Sequence, residues 1–273
     1  MNVLKSVFNF YINSSIHIAL SVCSLVYLTK LEFNIDVSNM LYGFIFFGTI
    51  TGYNFVKYAE VARLRHRSLN LSLRTIQVFS FFCFLALIYF TLHIAFNTLV
   101  VTGGFAALTF FYAIPFLNNK SLRALIGVKI VIVAVVWAGV TVLIPLLDET
   151  KLLVNDNWIS FIQRVLFVIV LTLPFEIRDL KYDELALGTL PQKVGVRTTK
   201  IIGIVLLLLV VNVSIFKTEK ALAYSICFGI MLLVLVIFLL ISRKKQTKYF
   251  SSFWVESVPI IGAGLYLMYA NLF

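Results

Sequence analysis

Nine stretches of this sequence run almost without charge: 12–29, 40–58, 75–95, 98–116, 125–147, 158–176, 201–216, 221–242 and 252–272. A helix crosses the hydrocarbon core of a bilayer with about 20 apolar residues, in a range of about 17–25. Stretch 201–216 is the shortest and is expected to draw on its flanks. Strands of a membrane barrel alternate in hydrophobicity, whereas these stretches are continuously apolar, so helices are the spanning element. Composition agrees. Only 13% of the residues are charged and 61% are hydrophobic, with a mean hydropathy of +0.99. A water-soluble domain carries roughly 25% charged residues. The expectation is an all-α, nine-helix integral membrane bundle, with residues 1–273 forming one domain.

The basic residues are not spread evenly. Sixteen of the 23 Lys and Arg fall at the N-terminus and in the segments 63–74, 120–123, 178–200 and 243–248, which all belong to one side of a nine-span topology. The opposite loops hold four: Lys30, Lys151, Lys217 and Lys220. Cytoplasmic loops collect Lys and Arg, so the N-terminus and the loops after the second, fourth, sixth and eighth spans are expected inside, with the C-terminus outside. The same bias explains the net charge of +11 without a nucleic-acid partner. No basic run interleaved with aromatics offers bases a stacking platform. Cys23, Cys83 and Cys227 lie apart inside apolar runs and read as small apolar residues. The first apolar segment has no cleavage site of small residues after it and is expected to stay as a helix. The membrane expected is a bacterial cytoplasmic one.

Chemistry concentrates at the end of the sixth span, in "PFEIRDLKYDELALGTLPQKVG", Pro174 to Gly195. Glu176, Asp179 and Asp183 are spaced three and four apart, which stacks them on one helical face. Three carboxylates repel unless a cation sits among them. Mg2+ takes oxygen ligands and bridges protein carboxylates to substrate phosphates. The alternative is a solvated helix end in which Arg178, Lys181 and Lys193 neutralise the acids.

The stretch "IRDLKYDELALGTLPQKVG" resembles the second acidic motif of the UbiA-type intramembrane prenyltransferases. The matching positions are Asp179, Asp183, Thr189, Leu190, Pro191 and Gly195. "FYAIPFLNNKSLR", with Tyr112, Lys120 and Arg123, is similar to the family's segment after the fourth span. The resemblance implies transfer of a prenyl group from an isoprenyl diphosphate to a lipophilic acceptor, commonly an aromatic ring or quinone precursor. It implies Mg2+ held by Glu176, Asp179 and Asp183, a diphosphate bound there, and an apolar cavity that shields the allylic cation.

The first acidic motif of that family is degenerate here. In "GYNFVKYAEVARLRHR", Asn54 matches, but the three acidic positions are Phe55, Tyr58 and Ala62. Lys57 brings a cation instead, and Glu60 is off register. The implied roles are Asp179, Asp183 and Lys57 in catalysis, and Asn54, Lys57, Tyr112, Lys120, Arg123 and Lys129 in substrate binding. A UbiA-like protein that binds a lipid or a partner without turnover, and a transport bundle, remain open as alternatives. Ionisable groups inside spans are functional or paired. Arg164 is expected to snorkel to the interface, Lys129 to snorkel or reach the phosphate zone, and Glu256 to pair with one of these cations. His17 and His93 read as packed polar residues, and Gly103-Gly104 as a close helix contact.

Overall fold

The computed structural model describes residues 3–64, 71–113, 128–149, 154–180, 189–218 and 221–272. Among these the chain is helical with no strand. The helices are α1 (Val3–Asn13), α2 (Ile16–Phe33), α3 (Asn39–Leu64), α4 (Leu71–Thr91), α5 (Phe96–Ala113), α6 (Val128–Ala138), α7 (Ile144–Asp148), α8 (Asn155–Asp179), α9 (Leu190–Val213), α10 (Leu222–Ile241) and α11 (Val258–Leu272). Short π-helical segments join α6 to α7 (Gly139–Leu143) and lead into α11 (Phe250–Val255).

Eight columns are long and apolar enough to cross a membrane, α6 and α7 counting as one column. With α3, 26 residues long and packed between α2 and α4, they account for the nine expected crossings. The chain is a multi-pass integral membrane protein. Backbone groups cannot stay unpaired in lipid, which is why the apolar runs all resolve as helices. The packing order α2, α3, α5, α6, α8, α10, α11 and back to α2 closes a ring. Large apolar side chains fill its contacts, among them Leu25, Leu28, Phe167, Leu173, Met231 and Leu235.

The first span departs from expectation. Residues 3–13 form a separate helix, and the span begins at Ile16 rather than at residue 12. The break is a turn at Ser14 and Ser15, with Ser15 in the left-handed region at φ 66°. Asn54 of α3 fixes it. Asn54 Oδ1 accepts from Ser15 Oγ at 2.7 Å, and its Nδ2 donates to Ser14 O at 3.1 Å and to Ser80 Oγ at 2.8 Å. The seventh stretch does borrow from its flank, since α9 starts at Leu190. Gly103 and Gly104 are exposed, and a Cβ on either would meet open space, so they make no close helix contact. The close approaches are at Gly43, where a Cβ would lie 2.3 Å from Phe90, at Gly139, 2.0 Å from Phe105, at Gly203, 2.5 Å from Leu239, and at Gly262, 2.0 Å from Met231.

Arg164 does not snorkel. It is 1% exposed and donates through Nη1 to Leu25 O at 3.1 Å and through Nη2 to Thr29 Oγ1 at 3.3 Å. Thr29 Oγ1 donates to Thr141 O at 2.7 Å. That carbonyl is four residues before Pro145, which has no N–H to bond it. Beside Arg164, Glu32 pairs with Lys217, with both side chains less than a tenth exposed. Ser160 Oγ donates to Glu32 Oε1 at 2.6 Å, and Tyr224 lies within reach of both Glu32 and Arg164. This buried cluster joins α2, α8, α10 and the loop after α9 at the end opposite the basic loops. Breaking one member of a buried ion pair costs about 3–5 kcal/mol, because the other charge is stranded. Glu32→Ala is therefore expected to lower the thermal midpoint of the detergent-solubilised protein well below that of Glu32→Met/Lys217→Met, as read by scanning fluorimetry.

Candidate active site

The acidic end of α8 is held by the loop before α11. Gln246 Nε2 donates to Pro174 O at 2.9 Å, Ser251 Oγ reaches the same carbonyl at 3.4 Å, and Ser251 Oγ donates to Gln246 Oε1 at 2.6 Å. One turn on, α8 presents Glu176, Arg178 and Asp179. Glu176 is 3% exposed and pairs with Lys129 of α6 at 2.8 Å. Asp179 is held in a two-point grip by its neighbour, from Arg178 Nε at 2.7 Å and Nη2 at 3.2 Å. The guanidinium also lies 5.2 Å from the centroid of the Phe175 ring. Each described carboxylate of this motif thus has its own cation. Asp183 lies outside the described residues, as do Lys120 and Arg123.

These donors answer differently to a divalent ion. Asp179 is about a quarter exposed at the helix end and offers the hard oxygens that Mg2+ takes. Glu176 does not fit that role, because it is buried and committed to Lys129. No cluster of three or more metal-type ligands forms among the described residues.

Across the ring, α3 brings Tyr53, Asn54, Lys57 and Tyr58. Asn54 is 4% exposed, and its side chain is occupied with Ser14, Ser15 and Ser80, on the α1, α2 and α4 side. The structure places it in the joint of the scaffold rather than at a polar headgroup. Phe55, where the resemblance calls for an acid, is exposed and stacks on Phe110 at 6.1 Å. Tyr58 donates to Asn13 O at 2.9 Å, and Lys57 Nζ donates to the same carbonyl at 3.1 Å. Lys57 is exposed along its length, within electrostatic reach of Arg178 and Glu256. The side chains of Glu60, Ala62 and the Arg63–Arg67 cluster lie outside the described residues.

Glu256 enters from the π-helical turn before α11. Its N–H reaches back five residues to Ser251 O at 3.3 Å. Pro259 has no N–H to offer Val255 O, so widening this turn sacrifices no α-helical bond there. The charges that act on Glu256 are Lys57 and, less strongly, Arg178. Among the described residues it makes no contact ion pair, contrary to the pairing expected. Tyr11 of α1 lies near as well: burial first, and then the Glu256 charge, push its hydroxyl above the usual phenol range.

Deeper in, the lining turns aromatic. Trp137 Nε1 donates to Tyr53 Oη at 2.5 Å, with the rings edge-on at 6.3 Å. Tyr112 is buried and within reach of Tyr53, so it belongs to this interior rather than to an entrance. His17 is packed, as expected. Its Nε2 must carry the proton, since it faces Phe253 O at 3.0 Å, and Nδ1 then accepts from Tyr11 Oη at 2.7 Å. Sequence reasoning missed Tyr53 and Trp137; the one signal available was Tyr53 sitting a turn before Lys57.

The motif after α8 also takes a defined shape. Thr189 precedes α9, its N–H donates to Gln192 Oε1 at 2.9 Å, and Pro191 sits in the first turn where no N–H is needed. Gly195, at φ 80°, breaks the helix in a conformation that suits glycine, and Thr199 Oγ1 bonds its carbonyl at 2.8 Å. Polar groups thus gather at the basic end of the ring, above an aromatic interior. Such a site can hold an anion at its mouth and an apolar chain beneath it.

No family sequence profile matches the chain, and no curated protein sequence does. Solved structures do. An apo UbiA homologue from Aeropyrum pernix K1 superposes with a TM-score of 0.67 at 14% identity, over 94% of this chain and 98% of that one. A UbiA homologue from Archaeoglobus fulgidus bound to DMAPP and Mg2+ gives 0.62 at 13% identity, over 97% and 100%. A digeranylgeranylglyceryl phosphate synthase structure gives 0.58 at 18% identity, over 98% and 100%. Across nearly its whole length, this chain has the fold of the UbiA-type intramembrane prenyltransferases.

Proposed function

We propose that this protein transfers a prenyl group from an isoprenyl diphosphate to a lipophilic acceptor within the membrane, with residues 1–273 acting as one catalytic unit. The observation that carries the reading is the electrostatic coupling of Lys57, Arg178 and Glu256, with Asp179 on Arg178, in a helix ring that also holds the Tyr53–Trp137 pair. The shared fold supports it, since a structure of that fold holds DMAPP and Mg2+.

The chemistry follows from the lining. Lys57 and Arg178 present ammonium and guanidinium donors to the phosphate oxygens. Asp179 and Asp183 would hold Mg2+, which when bound neutralises charge gathering on the departing diphosphate. Lys57 stands between the positions where the resemblance calls for acids, and its fixed charge replaces part of what a second metal would supply. Lys129 stabilises Glu176 and so shapes the end of α8, while Lys120 and Arg123 are assigned to the phosphate entrance. Tyr53, Trp137 and Tyr112 shield the allylic end from water, which would otherwise capture the cation. The orientation that fits is a cytoplasmic basic end in a bacterial cytoplasmic membrane, where soluble diphosphates arrive.

A second reading, a lipid- or partner-binding protein without turnover, draws on the three lost acids and on Asn54 being consumed by the scaffold. Turnover separates the two. Purified protein is expected to consume geranyl diphosphate only with a divalent ion. Asp179→Ala is expected to reduce consumption by about 10²–10³-fold, the usual effect of removing one element of charge stabilisation. Retained turnover in that variant excludes Asp179 from the reaction; none in the wild type favours the binding protein. Lys57→Met is expected to weaken geranyl diphosphate binding by about 10–100-fold, the value of one or two charge-assisted hydrogen bonds. Isothermal titration in detergent reads this, and unchanged affinity removes Lys57 from the diphosphate site.

A further inference from the structure

Helix α4 takes no place in the closed ring. It packs on α3 and touches α1, and the rest of its length is largely exposed. Between α1 and α4 lies a groove of about 470 Å³, lined by Phe10, Arg74, Thr75, Val78, Phe79 and Phe82. The last five follow one another along α4 at steps of one and three residues, which puts them on one helical face. Phe10 closes the groove from α1, edge-on to Phe79 with ring centroids 5.3 Å apart. The two walls are tied together. Asn54 donates to Ser14 O, just past α1, at 3.1 Å and to Ser80 Oγ of α4 at 2.8 Å. The amide side chain that the scaffold consumes thus holds this groove in shape.

The lining is graded with depth. Arg74 stands at the basic end of α4, and Phe82 lies about 12 Å further along at about 1.5 Å per residue. Arg74 is exposed and has no ion pair among the described residues. Val78 and Phe82 are 52% and 62% exposed within a helix that is long and apolar enough to cross the membrane. A cation at the headgroup level above an apolar stripe matches an anion that carries a hydrocarbon tail. A neutral lipid makes no use of Arg74, a soluble anion makes none of the stripe, and a soluble acidic peptide does not reach Phe82 inside the span. Val3, Leu4 and Val7 of α1 are exposed beside Lys5, the pattern of a helix lying in the interface, where lipid headgroups are at hand.

We propose that the groove between α1 and α4 binds an anionic phospholipid from the leaflet on the basic side, with the lipid phosphate on Arg74 and the start of an acyl chain along Val78, Phe79 and Phe82. Basic pockets at membrane helices take lipid phosphates in this way. The guanidinium supplies charge-assisted hydrogen bonds to the phosphate oxygens. The apolar stripe then sets the direction of the chain, so headgroup and tail are read together. The site lies outside the ring and stands whether or not the chamber transfers a prenyl group.

Photolabelling reads the site directly. The full-length protein is placed in nanodiscs of phosphatidylcholine doped with a trace of phosphatidylglycerol or phosphatidylcholine, each carrying the same diazirine-bearing acyl chain. After illumination, adducts on residues 75–82 are counted by peptide mass spectrometry. Phosphatidylglycerol is expected to label this segment about tenfold more than phosphatidylcholine does, the worth of one hydrogen bond to a charged group. Arg74→Gln is expected to bring the two lipids level. Lys244→Gln removes another exposed cation from the basic loops without touching the groove, and is expected to leave the preference intact. Equal labelling in the wild type, or a preference that survives Arg74→Gln, overturns the site. An equal loss in Lys244→Gln reduces the effect to the general attraction of the basic end and overturns it as well. So does loss of the preference to glycerol phosphate at the probe's own concentration, because the tail would then contribute nothing.

Discussion

Charge is expensive in lipid, and the two ends of this bundle handle that constraint in opposite ways. At the end away from the basic loops, Glu32, Lys217, Arg164 and Tyr224 form a sealed cluster. Hydroxyls and a carbonyl freed by Pro145 take up the remaining donors. At the basic end Lys57 is exposed with its ammonium on Asn13 O, and Glu256 has charges near it but no side-chain bond among the described residues. A closed network stiffens a scaffold; an open one waits for a guest.

Helix α8 links the two. Arg164 near its start is locked into the sealed cluster, and Glu176, Arg178 and Asp179 at its end build the candidate site. Four turns of helix transmit that position, and Gln246 and Ser251 clamp the far end through Pro174 O. The clamp comes from the segment that leads into Glu256, so the placements of Asp179 and Glu256 are coupled through one loop. Precision of this kind is what positioning of a reacting group demands.

The crossings were legible because hydropathy is local: each span is announced by its own residues, and the basic loops announce their side. The end of α8 was legible for the same reason, as a polar cluster closing an apolar run. What escaped was pairing across long separations. Arg164 lies 135 residues from Thr29, so nothing near it shows that it is buried rather than snorkelling. Asn54 matched a family position, yet Ser14, Ser15 and Ser80 consume it, and the left-handed turn at Ser15 that depends on it has no glycine to mark it.

The loss of acids at 55, 58 and 62, with Lys57 set among them, also changes the electrostatics of the candidate site. With acids at positions 55, 58 and 62, the chamber would carry a strong negative charge and could admit a diphosphate only behind several metal ions. Here Lys57, Lys129 and Arg178 stand beside Glu176 and Asp179. In the proposed reaction, cations from α3, α6 and α8 would draw a diphosphate in before metal arrives.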